Sequence, residues 1–454
     1  MRRAVTTCLL AFVWAAGSAG QTAGDRDRPT IFEGARLITG DGRPVVEDST
    51  FVIAKGSFVA VGQKGQVKAG AGARRVSLTG KTVMPAIVDG HVHLGYRKGL
   101  TFSADNYTRE TLLDTLDRFA YYGISAVLEA GTGRGSLPFM VRPEATSGAR
   151  YRTAGSGFAM PNGGPGVPMR DAANGVTNES EARRAVRDLA SRHPDMVKIW
   201  VDDRNGSVEK LRPDLYRAII DEAHRSGLRV MAHIAKLDDA KDLLRAGVDG
   251  FAHQVRDRDV DEELLGMLRQ RPRVFFMATL WSERRAVYAG RPRWLDDPII
   301  GSTLTAEEVK RLADTFSDAA ASVGAEARDS AQRLLRNVST LHRAGVMLAL
   351  GTDTGGVSGG QYFGLASHVE IEELTKAGLS PAEALVIATR NTAQVLALES
   401  LGTIAVGKSA DFLVLDANPL EDIGNTRKIS KVYLRGREID RVALRAKFAR
   451  EGTH

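Results

Sequence analysis

Cysteine is almost absent from this sequence of 454 residues, in which Cys8 is the single example. Cys8 lies within an apolar run, 8–16, near the start of the chain. We expect this run to be removed, because it has the composition of a cleaved targeting segment. The mature chain then has no thiol, which excludes a disulfide framework, a cysteine nucleophile and thiolate metal ligands.

The sequence also lacks an apolar run long enough to span a bilayer. Arg2 and Arg3 precede the run at 8–16, and small residues follow it at 17–20, which is typical of a signal peptide over residues 1–20. A membrane anchor is the alternative, but the run is shorter than the ~20 residues that a spanning helix needs. We therefore predict an exported protein, periplasmic or secreted, with no stable membrane anchor.

Blocks of basic residues are missing as well. The formal charge is +7, and removal of Arg2 and Arg3 leaves +5 spread over the remaining 434 residues. So diffuse a charge argues against nucleic acid as a partner. A hydrophobic fraction of 43% is ordinary for a globular protein. We expect a small-molecule substrate, and the sequence leaves open whether the chain is a monomer or a homo-oligomer.

Short β-type runs stand near both ends of the chain. At one end, runs at 31–38, 50–54 and 58–61 alternate with turns, and at the other end 411–416 and 431–435 are strand-like. We predict that residues 30–80 and 401–440 together form a small β-sandwich domain.

Residues 81–400 alternate short apolar runs with helical patterns such as 111–122, 181–192 and 213–225. This is the order that builds an α/β fold with a parallel (β/α)₈ barrel, the TIM barrel. A longer helical stretch at 305–343 is predicted as an insertion after the seventh strand. The predicted strands are 83–88, 125–128, 151–154, 197–201, 230–232, 251–252, 274–279 and 346–350.

Histidine, lysine and aspartate residues stand at the ends of several predicted strands. On an extended strand, the side chains of His91 and His93 point to the same side and could bind one metal ion, although such a pair alone is a weak signal. Active sites of (β/α)₈ barrels are built at the carboxyl ends of the strands. Four further candidates stand there, on the fourth, fifth, sixth and eighth strands: Lys198, His233, His253 and Asp353.

The sequence resembles the amidohydrolase superfamily, in the branch of imidazolonepropionase-like and Xaa-Pro dipeptidase-like proteins. Three motifs carry the resemblance, at 83–93 (Val-Met-Pro-Ala-Ile-Val-Asp-Gly-His-Val-His), 351–354 (Gly-Thr-Asp-Thr) and 402–411 (Gly-Thr-Ile-Ala-Val-Gly-Lys-Ser-Ala-Asp). It covers nearly the whole mature chain. In binuclear members, the strand-four lysine is carboxylated by CO₂, because a carbamate can bridge two cations and an ammonium cannot.

The resemblance implies a site with two divalent metal ions. His91, His93 and Asp353 would bind the first metal, His233 and His253 the second, and carboxylated Lys198 would bridge them. Zinc is the default, and manganese, iron, cobalt or nickel also suit nitrogen and oxygen ligands.

The implied reaction is hydrolysis of an amide bond in a small molecule, such as a dipeptide, an N-acyl amino acid or a cyclic amide. A water held between the two metals would attack, and Asp353 would accept its proton and pass it to the leaving amine. Two alternatives stay open. One is an imidazolone or lactone ring-opening hydrolase with a mononuclear site, and the other is a non-catalytic binding protein on the same scaffold.

Structural roles are alternatives for some of these residues. Lys198 could be a buried lysine paired with Asp202 or Asp203, which would leave a mononuclear site. His233 and His253 could each be a core histidine with its hydrogen bonds satisfied.

The strand-five and strand-six motifs depart from the family pattern. Dipeptidase-like members usually have a tyrosine two residues after the strand-five histidine and Glu-His-Gly at strand six, whereas this chain has Ala235 and Ala252-His253-Gln254. Mononuclear deaminases have a glutamate three residues after the strand-five histidine, where this chain has Lys236. These departures leave dipeptide specificity open and argue against deamination of a purine or pyrimidine.

Residues in the loops that follow the strands are the candidates for substrate binding. Arginines and lysines there, including Arg284 and Arg285, would suit an anionic substrate, and a solvated surface role is the alternative for each. His368 could lie beside the metal ligands or at the start of a helix, and both roles are open. The predicted substrate-binding residues are Arg134, Lys236, Trp281 and His368.

Overall fold

The computed structural model describes residues 28–451, except 69, 71, 100, 168, 289 and 356–361. The predicted signal peptide, 1–20, lies outside the described residues. Within them, no helix combines the length and the apolarity needed to cross a membrane.

Strands near both ends of the chain pair with one another, and the strands between them are mainly parallel. In chain order they are β1 (Thr30–Leu37), β2 (Val46–Ala54), β3 (Ser57–Gln63), β4 (Arg74–Ser77), β5 (Thr82–Pro85), β6 (Ile87–Val92), β7 (Arg97–Lys98), β8 (Thr101–Phe102), β9 (Ile124–Glu129), β10 (Arg150–Thr153), β11 (Phe158–Ala159), β12 (Asn174–Gly175), β13 (Val197–Trp200), β14 (Val230–His233), β15 (Gly250–Phe251), β16 (Phe275–Met277), β17 (Met347–Ala349), β18 (Phe412–Leu415), β19 (Ile429–Leu434) and β20 (Arg437–Glu438).

Local sequence signals set the helix boundaries. Side-chain oxygens of Thr108, Asn178 and Asp261 each accept the N–H three residues later, which starts a helix. Gly247 ends the helix Leu237–Ala246 in the left-handed conformation, with φ 102°. The helices are α1 (Arg109–Tyr121), α2 (Leu137–Val141), α3 (Glu179–Ala190), α4 (Pro213–Arg225), α5 (Leu237–Ala246), α6 (Glu262–Arg269), α7 (Leu280–Arg284), α8 (Ala306–Ser322), α9 (Ala325–Arg343), α10 (Leu365–Lys376), α11 (Pro381–Val386), α12 (Thr392–Val395) and α13 (Arg441–Glu451).

The sheet of terminal strands runs in the order β20-β19-β18-β5-β1-β2-β3, with β4 beside β1. Its member β5 corrects the prediction that 83–88 is a single barrel strand. Residues 82–85 pair with β1 and β18 of the terminal sheet, and pairing with β9 starts only at Ile87 in β6. Both pieces are buried throughout, so hydrophobic periodicity could not separate them.

Aromatic rings form the core of the terminal sheet. The ring centroids of Phe58 in β3 and Phe412 in β18 are 5.8 Å apart, although β2, β1 and β5 lie between these strands. The backbone N–H of Phe58 also donates to the carbonyl of Lys408 at 2.9 Å. The sheet is therefore strongly curled, so that distant strands meet over the rings.

The parallel strands follow one another in chain order. They run β6-β9-β10 and then β11-β13-β14-β15-β16-β17. The predicted third strand at 151–154 corresponds to β10, and β11 is a further short strand that was not predicted. The connection after β17 hydrogen-bonds back to β6, since Gly90 N–H donates to the carbonyl of Leu350 at 2.8 Å. The α/β class with parallel strands is confirmed, and the predicted insertion at 305–343 consists of α8 and α9.

Two apolar clusters hold the parallel strands in place. Side chains such as Val88, Leu128, Met231, Phe275 and Met277 pack together between the parallel strands. A larger cluster fills the space between the strands and the surrounding helices. Because apolar side chains fill both sides of the strands, the polar residues lie at the carboxyl ends of the strands.

Candidate metal centre and active site

The structure brings the predicted ligands together at one cavity. His91 lies in β6 and His93 directly follows it, Lys198 lies in β13, and His233 ends β14. The cavity has a volume of about 240 Å³, and its walls include Trp200, Met169 and five of the predicted ligands, which are His93, Lys198, His233, His253 and Asp353. His91 is completely buried and contacts the same group through Asp353.

His91, His93 and Asp353 form the tightest group. The Oδ1 atom of Asp353 lies 2.9 Å from Nε2 of His93 and 3.3 Å from Nε2 of His91. One ligand atom from each residue lies within 4.8 Å of the other two. Asp353 also has a left-handed backbone, with φ 55°, a conformation that is held where the surroundings over-determine it, often at functional sites. Nitrogen and oxygen donors this close fit a divalent cation.

The other ring nitrogens of His91 and His93 are held by oxygen atoms. Nδ1 of His91 donates to the carbonyl of Ala252 at 3.1 Å. Nδ1 of His93 lies 2.9 Å from Oγ1 of Thr132, whose hydroxyl donates to Glu129 at 2.7 Å and therefore accepts from the histidine. Both imidazoles thus turn a lone pair on Nε2 toward Asp353, the arrangement that a metal ligand requires.

His233 and His253 lie side by side, with ring centroids 4.4 Å apart. Nε2 of His233 lies 3.1 Å from Oδ2 of Asp202, and Nδ1 of His253 lies 3.1 Å from Oγ1 of Thr279. These partners leave Nδ1 of His233 and Nε2 of His253 as the nitrogens for a metal. The oxygen partners thus hold Nε2 in one ring and Nδ1 in the other.

Lys198 is completely buried beside these histidines. Its Nζ lies 3.4 Å from Nε2 of His91 and 5.2 Å from the centroid of the Trp200 ring. The alternative partners are engaged elsewhere, because Asp202 contacts His233 and Lys236 donates to Asp203 at 2.8 Å. Burial lowers the pKa of Lys198 to about 8. In a fraction of the molecules the side chain is therefore a neutral amine, the form that can react with CO₂.

A glycine makes room for the lysine stem. Gly131 has φ +91°, and a Cβ built on it would lie 2.7 Å from Cβ and Cγ of Lys198. A larger residue there would be strained and would displace the lysine.

Burial and neighbouring charges set the protonation of the ligands. Burial lowers the pKa values of His91, His233 and His253, which favours the neutral imidazole. Burial alone would raise the pKa of Asp353, but the contact with His93, the proximity of His91 and the charge of Lys198 outweigh it and lower that pKa. These directions favour neutral imidazoles at His91, His233 and His253 and a carboxylate at Asp353.

Sequence reasoning missed a buried carboxylate that orders the loop after β17. Asp89 accepts hydrogen bonds from the hydroxyls of Thr352 and Ser367, each at 2.8 Å, and from the N–H of His91 at 3.2 Å. Burial raises the pKa of Asp89 to about 7. The aspartate belongs to the Asp-Gly-His-Val-His motif, so its place two residues before His91 was the available signal. Thr132, Thr279 and Asp202 gave only the weaker signal of a polar residue after a strand.

The predicted substrate-binding residues contact groups outside the cavity lining. Arg134 donates to the carbonyl of Ala104 at 3.2 Å, and Lys236 is paired with Asp203. Trp281 is buried against other aromatic rings, and the buried His368 contacts the carbonyl of Tyr122 through Nε2 at 2.8 Å. Their part in substrate binding stays a prediction.

Comparison with known proteins identifies the family. The amidohydrolase family profile matches residues 82–439. An ochratoxinase of Aspergillus niger is 25% identical over 449 residues, which cover 88% of this chain and 83% of the relative. A 5-methylthioadenosine/S-adenosylhomocysteine deaminase of Halalkalibacterium halodurans is 23% identical, with 85% of each chain covered.

A solved structure has a fold similar to that of this chain. A protein of Bifidobacterium longum assigned as a prolidase superposes with a TM-score of 0.71 at 26% identity, covering 93% of this chain and 99% of that chain. The family profile, the shared fold and the His91, His93 and Asp353 group together lead to one conclusion. The chain belongs to the amidohydrolase family and is a hydrolase.

Proposed function

We propose that the protein hydrolyses an amide bond of a small molecule, such as a dipeptide, an N-acyl amino acid or a cyclic amide. The observation that carries the proposal is the meeting of four histidines, Lys198 and Asp353 at one cavity, with one nitrogen of each imidazole bonded to an oxygen partner. Relatives named ochratoxinase and prolidase support amide substrates.

The same residues would hold two divalent cations. His91, His93 and Asp353 would bind one, His233 and His253 the other, and carboxylated Lys198 would bridge them, with zinc as the default metal. When bound, the metals supply acidification of the attacking water and polarisation of the scissile carbonyl. Asp353 Oδ1 would accept the proton of the water and deliver it to the leaving nitrogen, while Trp200 and Met169 would limit access of bulk water.

We also infer the finer architecture of the chain. The hydrogen bonds from the connection after β17 back to β6 support a closed (β/α)₈ barrel over 81–400, with its first strand starting at Ile87. The aromatic contact between β3 and β18 supports a sandwich-like domain from 30–80 and 401–440. Export after cleavage near residue 20 is part of the proposal, and N-terminal sequencing of protein from the native host tests it.

Deamination is the second candidate, because one relative is named a deaminase. Lys236 stands three residues after His233, and its ammonium is paired with Asp203. A cation there cannot serve as the proton-transferring carboxylate that deaminases of the superfamily place at that position. The amide-hydrolase proposal is therefore preferred.

A substrate screen tests the proposal. Protein loaded with zinc or manganese in the presence of bicarbonate is incubated with dipeptides, N-acyl amino acids, cyclic amides and lactones. Amine release is measured for the amides and acid release for the lactones. We expect amide hydrolysis by the wild type and none by His93→Ala, which lacks a ligand but should keep its fold. Turnover confined to lactones, or equal turnover by His93→Ala, would refute the proposed reaction.

A further inference from the structure

Arg285 lies at the wall of the cavity, and no carboxylate of the described residues forms an ion pair with it. It caps the end of α7 and lines the same cavity as Asp353. Among the described residues, no hydrogen bond or ion pair to its guanidinium is formed. Burial lowers the pKa of Arg285, whereas the charges of Glu283 and Asp353 raise it. A desolvated guanidinium of this kind is stabilised when an anion binds to it.

Two neighbouring arginines, unlike Arg285, are each paired with a glutamate. Arg284 donates to Glu373 at 2.7 Å, and Arg256 donates to Glu283. Glu283, the carboxylate nearest to Arg285 in sequence, is thus engaged by another arginine, and Asp353 is engaged by the site histidines. Arg285 therefore lines the cavity while the carboxylates of Glu283 and Asp353 contact other side chains.

The backbone that carries Arg285 is firmly held. The first N–H groups of α7, from Leu280 and Trp281, donate to the two carboxylate oxygens of Glu370 at 2.7 and 2.6 Å. The ion pair of Arg284 with Glu373 fixes the other end of this short helix to α10. The main chain that carries Arg285 therefore needs no further ordering when a ligand binds, which lowers the entropic cost of binding.

A second arginine adds positive potential to the cavity. Arg204, from the loop after β13, also lines it, and its guanidinium donates to the carbonyl of Gly164. Burial and the charge of Arg170 lower the pKa of Arg204, as expected where positive charge is in excess. We propose that Arg285 binds a carboxylate of the substrate, with Arg204 as an auxiliary cation.

This inference rests on the proposed amide hydrolysis and narrows its substrate class. It selects amides that carry a free carboxylate, namely N-acyl amino acids and dipeptides, over neutral cyclic amides. A planar guanidinium can bind a carboxylate through two parallel hydrogen bonds, which makes Arg285 a specificity-determining residue.

The kinetic test compares N-acetyl-L-amino acids with the matching N-acetyl-L-amino acid amides, in which the scissile bond is the same. In Arg285→Gln, we expect kcat/KM for the acids to fall about 10- to 100-fold, mainly through KM, with little change for the amides. Arg291→Gln is the matched control, since Arg291 is an exposed arginine of the same loop, paired with Asp296. Equal losses for acids and amides would place Arg285 at the reacting carbonyl and overturn the proposal, as would unchanged kinetics.

A binding measurement separates this proposal from the proposed function. Calorimetry on the metal-loaded wild type and on Arg285→Gln uses 3-phenylpropanoate and 3-phenylpropanol, neither of which has an amide bond. We expect the Kd of the propanoate to rise at least about 10-fold in the variant, with the alcohol unaffected. Equal propanoate binding by both proteins, or none by the wild type, overturns the carboxylate site. Absence of turnover with this binding difference intact refutes amide hydrolysis alone.

Discussion

The histidines of the site are oriented by partners that fix which nitrogen carries the proton. Thr132 illustrates this, because its hydroxyl cannot donate to His93 while it donates to Glu129. At His233, the carboxylate of Asp202 accepts from Nε2, which leaves Nδ1 as the unprotonated nitrogen of the neutral ring. At the residue scale, the orientation of these imidazoles therefore depends on oxygen partners such as Thr132 and Asp202.

A buried histidine outside the site predicts a pH dependence of stability. Burial lowers the pKa of His368 to about 3, from an ordinary value near 6.5. Between these values the unfolded chain binds a proton that the folded chain does not, so the free energy of unfolding falls as pH falls. His368→Gln keeps an N–H for the carbonyl of Tyr122 but cannot titrate. Its free energy of unfolding should lose about 1.4 kcal/mol less per pH unit between pH 6 and 4 than that of the wild type.

Urea denaturation of both proteins across this pH range measures the difference. Other buried groups titrate equally in both, so they cancel in the comparison. Parallel pH profiles for the wild type and His368→Gln would contradict the assignment.

At the scale of elements, α10 anchors α7 and thereby one wall of the cavity. Glu370 accepts from the start of α7, and the completely buried Glu373 accepts from Arg284 at its end, from Lys376 and from Tyr288. Helix α7 has only five residues and could not hold its shape alone. Its position is thus a consequence of ionic contacts with the helix that follows β17.

Glu373→Gln tests this anchoring. The substitution leaves the buried guanidinium of Arg284 without its anion, and we expect the free energy of unfolding to fall by about 3 kcal/mol. Glu262→Gln, which breaks the exposed pair of Glu262 with Arg269, should change it by less than about 1 kcal/mol. Chemical denaturation of the two variants checks the contrast. Equal small losses would show that α7 does not depend on this ion pair.

The alternation of strands and helices and the His91, His93 and Asp353 group could be predicted because they depend on local patterns. Apolar runs that end in polar residues mark the carboxyl ends of parallel strands. The division between β5 and β6 could not be predicted, because both halves of that run are equally buried. The anchoring of α7 by Glu373 joins residues 89 positions apart, and no local signal marks such a pair.

At the scale of the whole molecule, the terminal sheet is tied to the parallel strands by a buried carboxylate. Asp411, just before β18, accepts two hydrogen bonds from the guanidinium of Arg150 in β10, at 2.6 and 3.1 Å. The β5 to β6 connection passes directly from one sheet into the other. The two parts therefore have no flexible linker at this point, and we expect them to unfold together.

Asp411→Asn removes one side of this contact. We expect the free energy of unfolding to fall by about 3 kcal/mol, because Arg150 is left partly buried without its bidentate partner. Differential scanning calorimetry should show a single transition in both proteins, shifted to lower temperature in the variant. Two separated transitions would mean that the terminal sheet and the parallel strands unfold independently.

The number of metal ions per chain tests the two-metal site most directly. Wild-type protein, Lys198→Ala and the control Lys210→Ala, whose lysine is paired with Asp239, are loaded with zinc in bicarbonate. Each is assayed for metal content, melting temperature and amide hydrolysis. The predicted result is about two ions per chain in the wild type and the control, with loss of metal and activity in Lys198→Ala while the chain stays folded. Two ions per chain and normal activity in Lys198→Ala would contradict the bridging role of Lys198.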